Sequence, residues 1–170
     1  MDIAIRPIGP AEHEILGGIT AEAYLGDGLL DFGADDPYLE RLRDVTRRAA
    51  EAEVLVAADS RGRVLGGVTY APPGNPWCDI AAADEAEFRM LAVSREARGA
   101  GAGEALVRAC IDRARSTAGV RGIVLSTQAG MHGAHRIYRR LGFERTPERD
   151  WYPVPSVPLL TYRLELRPMP

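Results

Sequence analysis

Chemistry is most legible where the apolar run Leu91-Ala92-Val93 passes through Ser94-Arg95-Glu96-Ala97 into Arg98-Gly99-Ala100-Gly101-Ala102-Gly103 and on into Glu104-Ala105-Leu106. A strand entering a glycine turn that opens a helix makes an anion site. The glycines let the backbone take unusual φ values and approach a ligand closely, and the first N–H groups of the helix have no intrahelical acceptor. A pyrophosphate fits such a turn. Two common nucleotide motifs fail here. A dinucleotide G-x-G-x-x-G counted from Gly99 needs glycine at Glu104, and counted from Gly101 it needs glycine at Leu106. A P-loop needs a lysine after its last glycine, and all 21 basic residues of this chain are arginine. The missing lysine also excludes Schiff-base chemistry on a lysine. The bland alternative is a strand-to-helix connection whose glycines serve only the turn.

The elements that would carry this turn alternate along the chain. Asp2 to Ile8 reads as a strand with Ile3, Ile5 and Ile8 inward, and a helix runs from Pro10 to about Leu25. After a loop from Gly26 to Asp36, a second helix covers Pro37 to Ala52. Val54 to Ala58 and Val64 to Ala71 form a hairpin across Asp59-Ser60-Arg61-Gly62. Pro72 to Asp84 is a Pro/Gly-rich loop. Strand Glu85 to Val93, helix Gly101 to about Ala118, strand Gly122 to Thr127 and helix Gly133 to Leu141 follow, the last ended by Gly142. Two final strands lie near Phe143 to Thr146 and Leu159 to Leu166, joined by a proline-rich segment from Pro147 to Pro158. The order β-α-α-β-β-β-α-β-α-β-β specifies an α/β (α+β) fold in a single domain over residues 1–170.

Composition narrows the function classes. A 170-residue chain with 46% hydrophobic content can bury a core without metal or disulfide help. The formal net charge of −3 argues against a nucleic-acid footprint, and so against a tRNA-directed toxin. The cluster Arg136, Arg139 and Arg140 reads as a solvated helix face. Cys78 and Cys110 have no Cys/His ligand spacing, so no metal and a reducing, cytoplasmic setting are expected. The start Met1-Asp2-Ile3-Ala4-Ile5-Arg6-Pro7 lacks the regions of a signal peptide, and no apolar run reaches membrane-spanning length.

Three ordered motifs resemble those of the GCN5-related N-acetyltransferases (GNAT). They are Arg98-x-x-Gly101-x-Gly103, the stretch Ala86-Glu87-Phe88-Arg89-Met90-Leu91-Ala92-Val93, and Ala134-x-x-x-Tyr138-x-x-x-Gly142-Phe143. The resemblance implies a mixed central sheet of about seven strands flanked by about four helices. It also implies an acetyl-CoA-dependent N-acetyltransferase acting on a primary amine by direct attack, the alternative being a non-catalytic acyl-CoA-binding module on the same scaffold. The backbone of Arg98, Gly99, Ala100, Gly101, Ala102, Gly103 and Glu104 would hold the pyrophosphate. The pantetheine arm would run along Leu91, Ala92 and Val93, with an amide of Leu91 or Ala92 polarising the thioester.

Acetyl transfer needs a free amine, a stabilised oxyanion and a proton for the leaving thiolate. Glu87 matches the family position that often holds the base, and by strand alternation it shares a face with Arg89, Leu91 and Val93, opposite Phe88, Met90 and Ala92. An ion pair with Arg89 is the competing reading. Tyr138 matches the tyrosine that protonates the thiolate, against the alternative of a core aromatic. His135 is expected at the surface, and Ser126 and Thr127 at the cleft. Met131 stands where many relatives carry an asparagine, which puts cofactor affinity in question. The segments Tyr24 to Tyr38 and Trp151 to Pro158 would wall the acceptor, a small-molecule or protein amine. Asp27, Asp31, Asp35 and Asp36 would steer a cationic one. The proline-rich arm offers a surface for a homodimer.

Overall fold

The computed structural model describes residues 2–166. Strand β1 (Ala4–Pro7) leads into helix α1 (His13–Gly26), the short helices α2 (Tyr38–Arg43) and α3 (Val45–Glu51), and strands β2 (Glu53–Ala58), β3 (Val64–Ala71) and β4 (Glu85–Val93). Helix α4 (Ala102–Arg115), β5 (Gly122–Thr127), α5 (His132–Arg140), β6 (Glu144–Arg145), β7 (Trp151–Val154) and β8 (Val157–Glu165) complete the described residues. The strands run in the order β1-β2-β3-β4-β5-β8-β6, with β7 paired to β8. Of these pairs only β4 and β5 are parallel. An amphipathic α4 and α5 cover one face, where Phe88, Leu106, Ile123, Tyr138, Phe143 and Tyr162 form the main core. Helices α1 to α3 cover the other, over Leu16, Leu39, Leu42, Val45 and Met90.

The described residues form a mixed sheet of eight strands with five α-helices, in keeping with the expected mixed sheet of about seven strands and about four helices, and each extra element has a local cause. The second helix breaks at Asp44, whose φ of −82° and ψ of 66° leave the helical region while its carboxylate accepts from the Arg47 amide and caps a new helix. The extra strand is β7, which lies inside the segment read as a proline-rich connection. Its Pro153 is tolerated because β7 pairs with β8 alone and stands at an edge.

Strand β4 departs from regular alternation. Its register against β3 passes from Gly66↔Val93 and Gly67↔Ala92 to Thr69↔Arg89, so three steps on β4 face two on β3. The extra residue is a β-bulge at Met90, which has a φ of 55°. The bulge corrects the expected faces. Phe88, Leu91 and Val93 pack toward the α4 side, whereas Met90 packs toward α1 and α2. Gly66 lets β3 approach the end of β4 closely, since a Cβ there would collide with the Ala92 carbonyl oxygen.

Buried charge fixes the start of β4. Glu85, with its side chain 5% exposed, takes Arg149 at 2.8 Å and Arg163 at 2.7 Å, and accepts the Ala82 amide at 2.9 Å. Burial alone would raise its pKa, but these partners outweigh that and hold the carboxyl down at about 2. The stabilisation is therefore complete above about pH 4.5 and lost as the pH falls toward 2. Glu85→Gln should cost about 3–5 kcal/mol at pH 7 and should flatten the fall in denaturant midpoint between pH 5 and pH 3. Denaturant titrations of both proteins across that range measure it, and parallel curves would contradict it.

Candidate active site

Pairing between β4 and β5 covers only Glu85↔Gly122, Ala86↔Ile123 and Glu87↔Val124. Beyond Glu87 the two strands part. From Phe88 to Val93 the edge of β4 that faces β5 has no ladder partner, so its polar backbone groups are left to a ligand. A cleft of about 790 Å³ opens beside that edge, lined by Leu91, Ala92 and Val93, the turn residues Arg98, Gly99 and Gly103, the end of α1, and α5. A neighbouring cavity of about 20 Å³ lies between the parted strands, bounded by Tyr24, Arg89, Ser126, Thr127, Met131 and Tyr138.

The glycine turn has the expected geometry. Gly99 (φ 83°) and Gly101 (φ 93°) hold backbone conformations that L side chains rarely adopt. Gly101 caps α4 with no side chain to bond its first-turn amides, and the first helical bond there is Ala105 N–H to the Gly101 carbonyl at 3.0 Å. The amides of Ala102, Gly103 and Glu104 therefore face outward unsatisfied by the helix. Gly103 serves packing instead, because a Cβ would sit 3.2 Å from Ile137 Cδ1. Gly101, Ala100, Ala102 and Glu104 do not line the cleft with side chains. Glu104 instead pairs with Arg140 at 2.8 Å and Arg108 at 3.6 Å. Arg98, Arg136 and Arg140 border the cleft, giving it a cationic rim. Arg98 makes a two-armed pair with Asp27, both contacts at 3.1 Å.

Tyr138 is buried among Phe88, His135, Phe143 and Tyr162, with ring centroids 5.7 to 6.4 Å away. Burial pushes its pKa well above the ordinary tyrosine value, so the hydroxyl stays protonated. Glu87 is placed differently from Tyr138 and lines neither cavity. It is fully buried, and its Oε1 accepts the amides of Asp79 (3.0 Å), Ile80 (2.9 Å) and Ala81 (3.0 Å), while Oε2 has no partner. Burial raises its pKa further than the three amides lower it. Arg89 pairs with Asp79 at 3.1 Å and not with Glu87.

His135 is buried rather than at the surface. Its Nε2 lies 3.0 Å from the Gln128 carbonyl and 3.2 Å from Thr127 Oγ1, which donates to Met131 Sδ at 3.4 Å. A helical position facing the sheet could have signalled this, since His135 stands three residues before Tyr138. The two expected acceptor walls meet where Ser156 donates to Asp31 at 2.5 Å, and Gln128, just after β5, holds the first wall by donating to the Leu29 carbonyl at 3.0 Å. The acidic loop is largely occupied, however. Asp27 is held by Arg98, and Asp36 caps the amides of Phe32 and Tyr38.

Among the described residues no helix is long and apolar enough to cross a membrane, and no group of His, Cys, Asp and Glu is arranged to hold a metal. The profile of the Acetyltransferase (GNAT) family matches residues 19–143. An uncharacterized N-acetyltransferase of Schizosaccharomyces pombe is 34% identical over 113 residues, covering 66% of this chain and 63% of that protein. The matches to curated relatives span between 46% and 63% of those proteins' lengths. A histone acetyltransferase HPA2-related acetyltransferase from Corynebacterium glutamicum superposes with a TM-score of 0.74 at 23% identity, covering 100% of this chain and 99% of the other. The yncA protein of Salmonella typhimurium, solved with its cofactor acetyl-CoA, gives 0.69 at 19% identity, covering 100% and 97%. These two likenesses establish the fold. Together with the family match across the cleft, the glycine turn and α5, they make the chain a member of the acetyltransferase (GNAT) family.

Proposed function

We propose that this chain is an acetyl-CoA-dependent N-acetyltransferase that acetylates a primary amine by direct attack on the thioester. One observation carries the reading: the unpaired edge of β4 leads into a turn of unsatisfied amides, and Tyr138 stands between the same parted strands. The open edge suits an amide-bearing pantetheine added like a further strand. The turn amides of Gly99 to Glu104 and the cationic rim suit the phosphates. Acetyl-CoA, when bound, supplies an activated acetyl group.

The chain's residues then divide the work. An amide of Leu91 or Ala92 steadies the developing oxyanion at the bulge. As the amine nitrogen forms its bond to the acetyl carbon, the C–S bond breaks and the Tyr138 hydroxyl gives its proton to the sulfur. The proton lost by the nitrogen returns to the phenolate through solvent. Glu87 supports the site from below by pinning Asp79 to Ala81, and takes no proton from the acceptor. The only carboxylate bordering either cavity is Asp27, already paired with Arg98. The amine must therefore arrive as the free base.

Three measurements test this. Gly101→Ala puts a methyl at a φ of 93°, where it strains the backbone and projects into open space above the turn. Acetyl-CoA affinity by calorimetry should weaken about tenfold or more, a loss of roughly 1.4 kcal/mol. Unchanged affinity in a folded variant would remove the turn from the binding site. Tyr138→Phe should keep its fold and acetyl-CoA affinity while turnover falls about 100- to 10,000-fold, with no tyrosine limb in the wild-type rate profile below about pH 10. Equal turnover would make Tyr138 a packing residue. Glu87→Gln retains an oxygen for the three amides, so turnover should stay within about tenfold and the rise of kcat/KM with pH should follow the acceptor's own amine pKa. A drop of about 100-fold or more with recovery at high pH would restore Glu87 as the base.

A further inference from the structure

Positive charge collects under the acceptor side of the cleft. Arg89 borders the small cavity beside Leu91 and Tyr138. Its guanidinium is fixed by the Trp77 carbonyl at 3.2 Å, the Tyr38 hydroxyl at 3.4 Å and Asp79 at 3.1 Å, and lies over the Trp77 ring at 5.6 Å. Arg48 lies behind it, 1% exposed. It donates to the Arg41 and Leu42 carbonyls at the end of α2, its Nε has no partner, and among the described residues no carboxylate pairs with it. Burial, helped by the charge on Arg89 and opposed by Tyr38, Tyr24 and Asp44, brings the Arg48 pKa down to about 10. Asp79 is the one carboxylate in contact with Arg89, Asp44 acts on Arg48 through its charge alone, and the aspartates of the Asp27 to Asp36 loop that hold hydrogen bonds spend them on Arg98, Ser156 and backbone amides.

An ammonium entering this place meets like charge, while an anion meets a fixed planar fork. We infer that the acceptor carries an anionic group beside its amine, as a free α-amino acid does, and that Arg89 with Tyr24 reads that group where the small cavity meets the larger cleft at Tyr24 and Leu91. The inference rests on the acetyltransferase reading above. It explains the absence of a free carboxylate at the cleft, because the site selects the neutral amine by repelling the ammonium. Recognition of the anion then supplies the affinity that the lost ammonium contacts would have given. Tyr24 borders both cavities, so it stands where acetyl donor and acceptor meet.

The test uses acetyl-CoA and a panel of the twenty L-amino acids, each beside its C-terminal amide and, where it exists, its decarboxylated amine. Thiol release is followed and each kcat/KM is referred to the free-base fraction of its amine. For the acids turned over, the acid should exceed its amide by about tenfold or more. Arg89→Gln should bring that ratio close to one by raising KM for the acid alone, with Arg89→Lys partly restoring it. Asp79→Asn, which removes the competing carboxylate and leaves Arg89 in place, should lower KM for the acids. Amides or simple amines preferred over acids, a ratio indifferent to all three variants, or acetyl-CoA binding with no acid turned over would each overturn the inference while leaving the acetyltransferase reading intact. A chain that binds no acetyl-CoA would overturn both.

Discussion

Everything at the site depends on a ladder that stops. After three residue pairs the only parallel pairing among the described residues ends, and past the bulge at Met90 the free edge of β4 lines the cleft with Leu91, Ala92 and Val93. An unpaired strand edge inside a protein is costly unless something completes it. The bulge itself holds a non-glycine residue in the left-handed region, a strain that persists only because its surroundings over-determine it. The packing of Met90 with Ala21, Leu39 and Leu42 on one side of the sheet and of Phe88 and Leu91 on the other supplies that constraint.

The rest of the structure holds the two strands apart at one end and together at the other. At the closed end Glu85 draws Arg149 and Arg163 to the sheet, tying β4 to β8 and to the segment before β7. Glu87 gathers three loop amides onto one oxygen, which packs the Pro72 to Asp84 loop against the sheet. Both glutamates begin the same strand, yet one is held ionised by arginines and the other is made harder to ionise by burial. At the open end, the tyrosine and phenylalanine rings around Tyr138 fill the space between α5 and the sheet. Arg98 joins the turn to the end of α1.

The sequence declared the elements around the cleft well. Strands Glu85–Val93 and Gly122–Thr127 have the bounds their patterns predict, because each is an apolar run ended by turn residues. The glycine turn was legible for the same reason: its residues act through backbone conformation, which glycine spacing states directly. What alternation concealed was the bulge, since Met90 is apolar and suits either face of a sheet. The break at Asp44 was hidden inside a helical pattern that continues through it. Glu87 showed its anomaly, a carboxylate in a central strand, but its partners are amides from a loop whose path no local pattern specifies. His135 and Arg98 share that difficulty, because their surroundings come from residues distant in the chain. The acidity of the Asp27 to Asp36 loop was plain, and only the fold shows how those carboxylates are engaged.

On the proposed reading, the open edge of β4 and the glycine turn together receive acetyl-CoA. Amide hydrogen exchange with and without saturating acetyl-CoA examines it at the residues concerned. Bound acetyl-CoA should slow exchange at Leu91 to Val93 and at Gly99 to Glu104, with β2 and β3 little changed. Tight binding of acetyl-CoA with exchange unaltered at both segments would contradict it.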